Sequence, residues 1–110
     1  VYVVEDDKFY IELFKNYFSS RPNFKVTCYG SGEECITKID SNPDIIILDY
    51  ILDKTNPQAM NGKNVYKILK RKYPSANIIV ISAQQSSDVM FGLIREGVRN
   101  YIMKDQQTFN

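Results

Sequence analysis

Five side chains in this sequence could do chemistry together: Glu5, Asp6, Asp49, Ser82 and Lys104. Three carboxylates held close repel one another, and ionising all of them needs compensation. A hard divalent cation is the natural partner, and a site of few protein oxygens with several retained waters suits Mg2+. Such a cation also offsets charge on an incoming phosphoryl group. A carboxylate can itself accept that group as an aspartyl phosphate. Asp49 is the candidate nucleophile because it ends the most apolar run in the chain, Ile45-Ile46-Ile47-Leu48. The Lys104 ammonium and the Ser82 hydroxyl could then hold phosphate oxygens. Taken singly, each residue has a plainer reading. Asp6 could be a helix cap, Asp49 a strand end, Ser82 a turn residue and Lys104 a solvated lysine.

The elements that must position them follow from the apolar pattern. Val1-Tyr2-Val3-Val4 is a short β-branched run, a buried strand by length and composition. Tyr10, Leu13, Phe14, Tyr17 and Phe18 then recur at helical spacing, with Asp6 or Asp7 to cap the helix and Pro22 after its end. Phe24 to Tyr29 reads as a second strand. Ser31-Gly32-Glu33-Glu34 reads as a capping box, in which the Ser31 hydroxyl and the Glu34 carboxylate satisfy orphan amides. Asp44 to Asp49 is apolar on both faces, as the centre of a parallel sheet requires. A polar loop is expected from there to Asn61-Gly62. Val65, Ile68, Leu69 and Tyr73 mark a third helix, and Asn77 to Ser82 a fourth strand. Ser86 or Ser87 caps a fourth helix with Val89, Met90, Leu93 and Ile94 on its apolar side, and Gly97 fits its C-terminal cap. Asn100 to Met103 is a fifth strand.

Strict alternation with short crossovers predicts an α/β fold, a doubly wound five-stranded parallel sheet. Ligands bind such sheets at the carboxyl ends of the strands. Those ends carry Glu5-Asp6, Asp49, Ser82-Ala83 and Lys104, so the five side chains are expected to face one crevice.

Composition bounds the alternatives. At 110 residues the chain holds one domain. Its net charge of +1 argues against a global attraction to nucleic acid or an anionic membrane. The densest basic stretch, Lys63, Lys67, Lys70, Arg71 and Lys72, reads as a solvated helix face. Histidine is absent, which excludes His-dependent triads, His-ligated zinc and a phosphohistidine on this chain. Cys28 and Cys35 match no metal spacing and read as small core residues. No stretch approaches the ~20 apolar residues of a membrane span. No signal peptide is visible, and the chain starts at Val1 without Met, as one lacking its native N-terminus would.

Four segments, in order and at matching strand ends, resemble the response-regulator receiver family over essentially the whole chain. They are Val3-Val4-Glu5-Asp6-Asp7, Ile46-Ile47-Leu48-Asp49, Val80-Ile81-Ser82-Ala83 and Gly97-Val98-Arg99-Asn100-Tyr101-Ile102-Met103-Lys104. The resemblance implies a flavodoxin-like (βα)5 receiver domain over residues 1–110, with the chain stopping before or within the fifth helix. It implies that Asp49 is the phosphoacceptor. Asp6 and Asp49 would ligate Mg2+ directly, Glu5 would act through water, and the Ile51 backbone carbonyl would complete the protein ligands. Ser82 and Lys104 match the phosphate-sensing hydroxyl and lysine, and Tyr101 the aromatic switch residue.

Such a domain is not a conventional enzyme; it catalyses its own Mg2+-dependent phosphorylation and slow autodephosphorylation. Its expected partners are a sensor histidine kinase or a histidine phosphotransfer protein, and a second copy through the face of the fourth helix and fifth strand. Neither nucleic acid nor membrane is an expected partner of this domain, and its expected location is the cytoplasm.

Two departures from the family pattern stand out. Asp53 replaces a usual proline, and the glycine counterpart, Gly62, comes late, so Asp53 to Asn61 is an insertion at the rim of the site. Asp105 follows Lys104 where many members carry proline. Three rival readings are weaker. Asp53-Lys54-Thr55 looks superficially like the phosphorylated motif of cation-pumping ATPases, but it sits in a polar loop and not at a strand end. A flavin module would need a Ser/Thr/Gly-rich phosphate loop where Glu5-Asp6-Asp7 stands. A receiver degenerate in its chemistry would lack some of the five side chains, and all are present.

Lifetime of the phosphorylated state follows from two positions. In the family, the side chains two after the phosphoacceptor and two after the hydroxyl residue border the path of the hydrolytic water; here they are Ile51 and Gln84. Ile51 cannot hydrogen-bond a water and obstructs its approach, and Gln84 is a poor general base. Self-dephosphorylation is therefore expected to be slow. Ile51→Asn should speed phosphate loss several-fold once the donor is removed; an equal or slower rate would refute the obstruction.

Overall fold

The structure is a computed structural model that describes residues 1–39, 42–52, 58–82 and 87–103, and for residues 87–90 the backbone alone. Among the described residues, five strands, β1 (Tyr2–Val4), β2 (Thr27–Tyr29), β3 (Ile45–Asp49), β4 (Asn77–Ser82) and β5 (Asn100–Met103), alternate with four helices. The helices are α1 (Lys8–Ser19), α2 (Gly32–Lys38), α3 (Gly62–Lys72) and α4 (Ser87–Arg95). All strand pairs are parallel, in the order β2-β1-β3-β4-β5. Strand order reverses between β1 and β3, which opens a crevice at their carboxyl ends.

Alternation along the strands sorts the apolar side chains onto two faces. Val4, Ile46, Leu48, Ile78 and Val80 meet Cys35 of α2, Val65, Tyr66 and Leu69 of α3 and Leu93 of α4. Val3 and Ile81 meet Phe14 of α1, with Phe18, Cys28 and Ile47 packed around them. Beside α1, this second face leaves an apolar hollow of about 150 Å³ lined by Phe14, Tyr17, Phe18, Ile47, Ile79, Ile81 and Ile102. Both cysteines serve as packing groups, and burial pushes the Cys35 thiol up to about 12, so it stays protonated.

Capping follows the sequence in part. Asp7 caps α1 by accepting from the Phe9 N–H at 2.9 Å, and Ser31 caps α2 by accepting from the Glu34 N–H at 3.1 Å. The reciprocal half of the expected capping box is not among the bonds formed; Glu34 Oε1 instead pairs with Lys38 at 3.5 Å. Gly97, at φ 91°, ends α4 with a Schellman pair. Its N–H donates to Ile94 and the Val98 N–H to Leu93, both at 3.0 Å.

Three expectations are corrected. β2 starts at Thr27 and not at Phe24, because Arg21 to Phe24 form a turn closed by a 3.0 Å backbone bond. Phe24 instead sets its ring against Phe18. Ile94 is 58% exposed: Leu93 takes the buried position, and the next helical residue is rotated away from it. The segment after Asp49 is not uniformly polar loop, since Leu52 is buried in the core and Met60 packs against it. Ser86 lies outside the described residues, as do the side chains of Val89 and Met90. The basic stretch of α3 is exposed as expected, and Lys63 and Lys67 both reach Glu96 at 3.7 Å, tying α3 to the end of α4.

The approach of α2 to α3 depends on Gly32. A Cβ there would overlap Val65 Cγ2 and stand 3.2 Å from Val65 Cβ. Gly32→Ala should therefore cost about 1–3 kcal/mol by overpacking. In a Val65→Ala background the same change should cost much less, because contacting residues are energetically coupled. Denaturant unfolding of the four variants checks this; additive losses would contradict it.

Candidate acidic site at the carboxyl edge of the sheet

The crevice is built from the ends of β1, β3 and β4. Glu5 continues the β1 ladder by one residue, donating its N–H to the Tyr29 carbonyl at 3.0 Å, and is fully buried. Glu5 Oε1 accepts from the Asp7 N–H at 3.1 Å. The run Glu5-Asp6-Asp7 thus divides its duties. Glu5 turns inward and braces the chain, Asp7 caps α1, and Asp6 stands half-buried between them. Asp49 closes β3, is 3% exposed, and accepts from the Ile51 N–H at 3.3 Å.

Carboxylate oxygens of Glu5, Asp6 and Asp49 all lie within 4.8 Å of one another. Two of the three residues are buried. An all-oxygen donor set of this charge is the kind that hard cations take, and it matches few protein ligands completed by water. The residues therefore fit Mg2+.

Ser82 is fully buried at the end of β4. Asp49 pairs in register with Ile81, so Ser82 stands one step beyond it at the same sheet edge. Tyr101 pairs with Val80 on β5 and is partly buried against the core. It lines a groove of about 270 Å³ with Leu93, Ile94, Val98 and Arg99. Phe91, Ile94 and Met103 are exposed on the neighbouring surface of α4 and β5, whereas Ile102 is exposed on the opposite face of the sheet, at the hollow beside α1.

The fold thus brings together Glu5, Asp6 and Asp49, sets Ser82 at the same edge, and places Tyr101 on the adjacent strand. Lys104 and Gln84, and Asp53 to Pro57 of the rim loop, lie outside the described residues. Sequence reasoning missed how the loop is held. The Gly62 N–H donates to the Tyr50 carbonyl at 3.1 Å, and the Met60 N–H is received by the Glu33 carboxylate at 3.1 and 3.2 Å. The signal available was Asn61-Gly62, a capping residue followed by one without Cβ. Among the described residues, no helix is long and apolar enough to cross a membrane.

The fold recurs in known proteins. The chain is similar to the transcriptional regulatory protein CssR of Bacillus subtilis, 31% identical over 105 residues, covering 94% of this chain and 44% of that protein. It is 23% identical over 107 residues to the transcriptional regulatory protein DegU of Brevibacillus brevis, covering 96% of this chain and 43% of that protein. It therefore spans less than half the length of these curated relatives. Among solved structures, the receiver domain of a putative Luxo repressor protein from Vibrio parahaemolyticus superposes with a TM-score of 0.77 at 27% identity, covering 94% of this chain and 75% of that one. The Francisella response regulator 1452 receiver domain shares the fold, with a TM-score of 0.78 at 24% identity, over 94% of this chain and 81% of that one. The family described as the response regulator receiver domain matches residues 1–109, and the chain belongs to it as a receiver domain of two-component systems.

Proposed function

We propose that this domain is a phosphorylation-dependent switch in which Asp49 accepts a phosphoryl group from a phosphohistidine donor. The observation that carries the reading is the placement of Glu5, Asp6 and Asp49, with carboxylate oxygens within 4.8 Å of one another at the switch point of the sheet. Asp6, Asp49 and the Ile51 carbonyl would hold Mg2+, with Glu5 acting through water, and the bound ion would neutralise charge on the phosphoryl group. An Asp49 carboxylate oxygen attacks phosphorus, and the donor's P–N bond breaks as the new P–O bond forms. Burial of Asp49 excludes bulk water from the reacting atoms. Lys104, assigned from sequence alone, pairs with a phosphate oxygen.

Ser82 then donates its hydroxyl to the phosphate, and its movement lets Tyr101 turn further into the groove beside α4. The α4–β5 surface, with Phe91, Ile94 and Met103 exposed, is where a partner or a second receiver would read the change. Phosphorylation acts by favouring one of two pre-existing states. The partners follow from the chemistry: a histidine kinase or a histidine phosphotransfer protein, met in the cytoplasm. We assign residues 1–110 to one receiver domain.

The central test is labelling by acetyl phosphate. The wild type should be labelled only with Mg2+ present, and Asp49→Asn should abolish labelling. Undiminished labelling of that variant would sink the assignment.

The relay has its own check. Ser82→Ala should still be phosphorylated, while beryllofluoride with Mg2+ should no longer shift the resonances around Tyr101. Wild-type shifts in that variant would contradict the coupling.

A further inference from the structure

Two hydrogen bonds beside Asp49 share one peptide group. The Gly62 N–H donates to the Tyr50 carbonyl at 3.1 Å, and the Ile51 N–H donates to Asp49 Oδ1 at 3.3 Å. The Tyr50 carbonyl and the Ile51 N–H are the two ends of a single peptide unit. That unit is planar, so fixing its oxygen fixes the direction of its N–H. Tyr50 is also held from the other side, its own N–H donating to the Ile81 carbonyl at 2.9 Å.

Gly62 is buried and is the first residue of α3, following the Asn61 cap, which accepts from the Asn64 N–H at 3.0 Å. A helix leaves its first N–H groups without partners inside the helix. Here one of them is spent outward, on the peptide that follows the nucleophile. Hydrogen bonds in series polarise one another, so the bond from Gly62 strengthens the bond onto Asp49.

The arrangement requires glycine for a steric reason. The φ of Gly62 is not positive, so the need is for space and not for an unusual backbone. A Cβ would overlap the Tyr50 carbonyl oxygen and stand 2.6 Å from both the carbonyl carbon and Cα of Tyr50. These are backbone atoms, which cannot swing aside as a flexible side chain does. Any other residue must push the Tyr50–Ile51 peptide away from α3.

We propose that Gly62 is a positioning residue for Asp49. By admitting the Tyr50 carbonyl to the N-terminus of α3, it holds the Ile51 N–H on Asp49 Oδ1 and sets the rotation of the carboxylate that attacks phosphorus. The inference rests on the reading of Asp49 as phosphoacceptor. It assigns the start of α3 a part in the transfer beyond helix initiation.

The test compares Gly62→Ala with Asn61→Ala in the intact chain. Both changes destabilise the start of α3, but only the first displaces the Tyr50–Ile51 peptide. Gly62→Ala should move the Ile51 amide proton upfield and speed its exchange. It should also slow labelling by acetyl phosphate with Mg2+ about tenfold or more, since misaligned nucleophiles lose much of the advantage of proximity. Asn61→Ala should lower the melting temperature while leaving the Ile51 resonance and the labelling rate near wild type. Equal rate losses in the two variants, or a wild-type rate in Gly62→Ala, would overturn the proposal. Should Gly62→Ala fail to fold, the wild type decides. Ile51 and Gly62 amides as protected as those of β3 support the relay, and amides exchanging like an open loop refute it. A wild type that accepts no phosphoryl group removes the reading of Asp49 itself, which is a distinguishable failure.

Discussion

Glu5 and Asp49 are withdrawn from water with Asp6 alongside, and taking carboxylates out of water together is costly unless something compensates. Much of the surrounding construction answers that cost. Backbone N–H groups are aimed at two of the acids, from Asp7 to Glu5 and from Ile51 to Asp49. The strands that carry them are anchored by apolar side chains on both faces, so the acids cannot retreat to solvent without breaking the sheet. A cation bound to acids held in this way, and not to the unfolded chain, would in turn stabilise the fold.

Rigidity at the carboxyl edge contrasts with the surface across α4 and β5. At the acidic edge, backbone bonds converge from β2, β4 and α3. Around Tyr101 the chain offers a groove and exposed apolar side chains. Lys63 and Lys67 reach from α3 to Glu96, so the end of α4 is linked to the same helix whose start contacts Tyr50. One helix therefore touches both the chemical edge of the sheet and the surface on which its state would be read.

The topology was legible because its signals were strong and local. The run Ile45 to Leu48 could only be a central parallel strand, and the cluster of acids followed from where strands end. What escaped was set by tertiary context. Phe24 carries strand character, but a turn at Pro22-Asn23 diverts it onto Phe18. Ile94 and Leu93 are equally apolar, and only the angle of α4 to the sheet decides which is buried. Glu34 had two partners within reach and took Lys38. Leu52, read as part of a polar loop, belongs to the core, in one cluster with Val65, Tyr66 and Leu69 of α3. The bond from Gly62 to Tyr50 joins residues that no local pattern relates.

That bond has a bearing on how such a domain can change over generations. It brings the two ends of the rim segment together, so the number of residues added between the anchored Leu52 and Met60 affects stability mainly through loop-closure entropy. That entropy grows with the logarithm of length, and doubling a loop costs only about 0.6 kcal/mol. Between Leu52, buried in the core, and Met60, held by Glu33, residues can thus be added or lost with little penalty to the acids beside them. Mutation can try new contacts at the mouth of the crevice while the interior stays constant, which lets paralogous copies diverge in whom they recognise without relearning their chemistry.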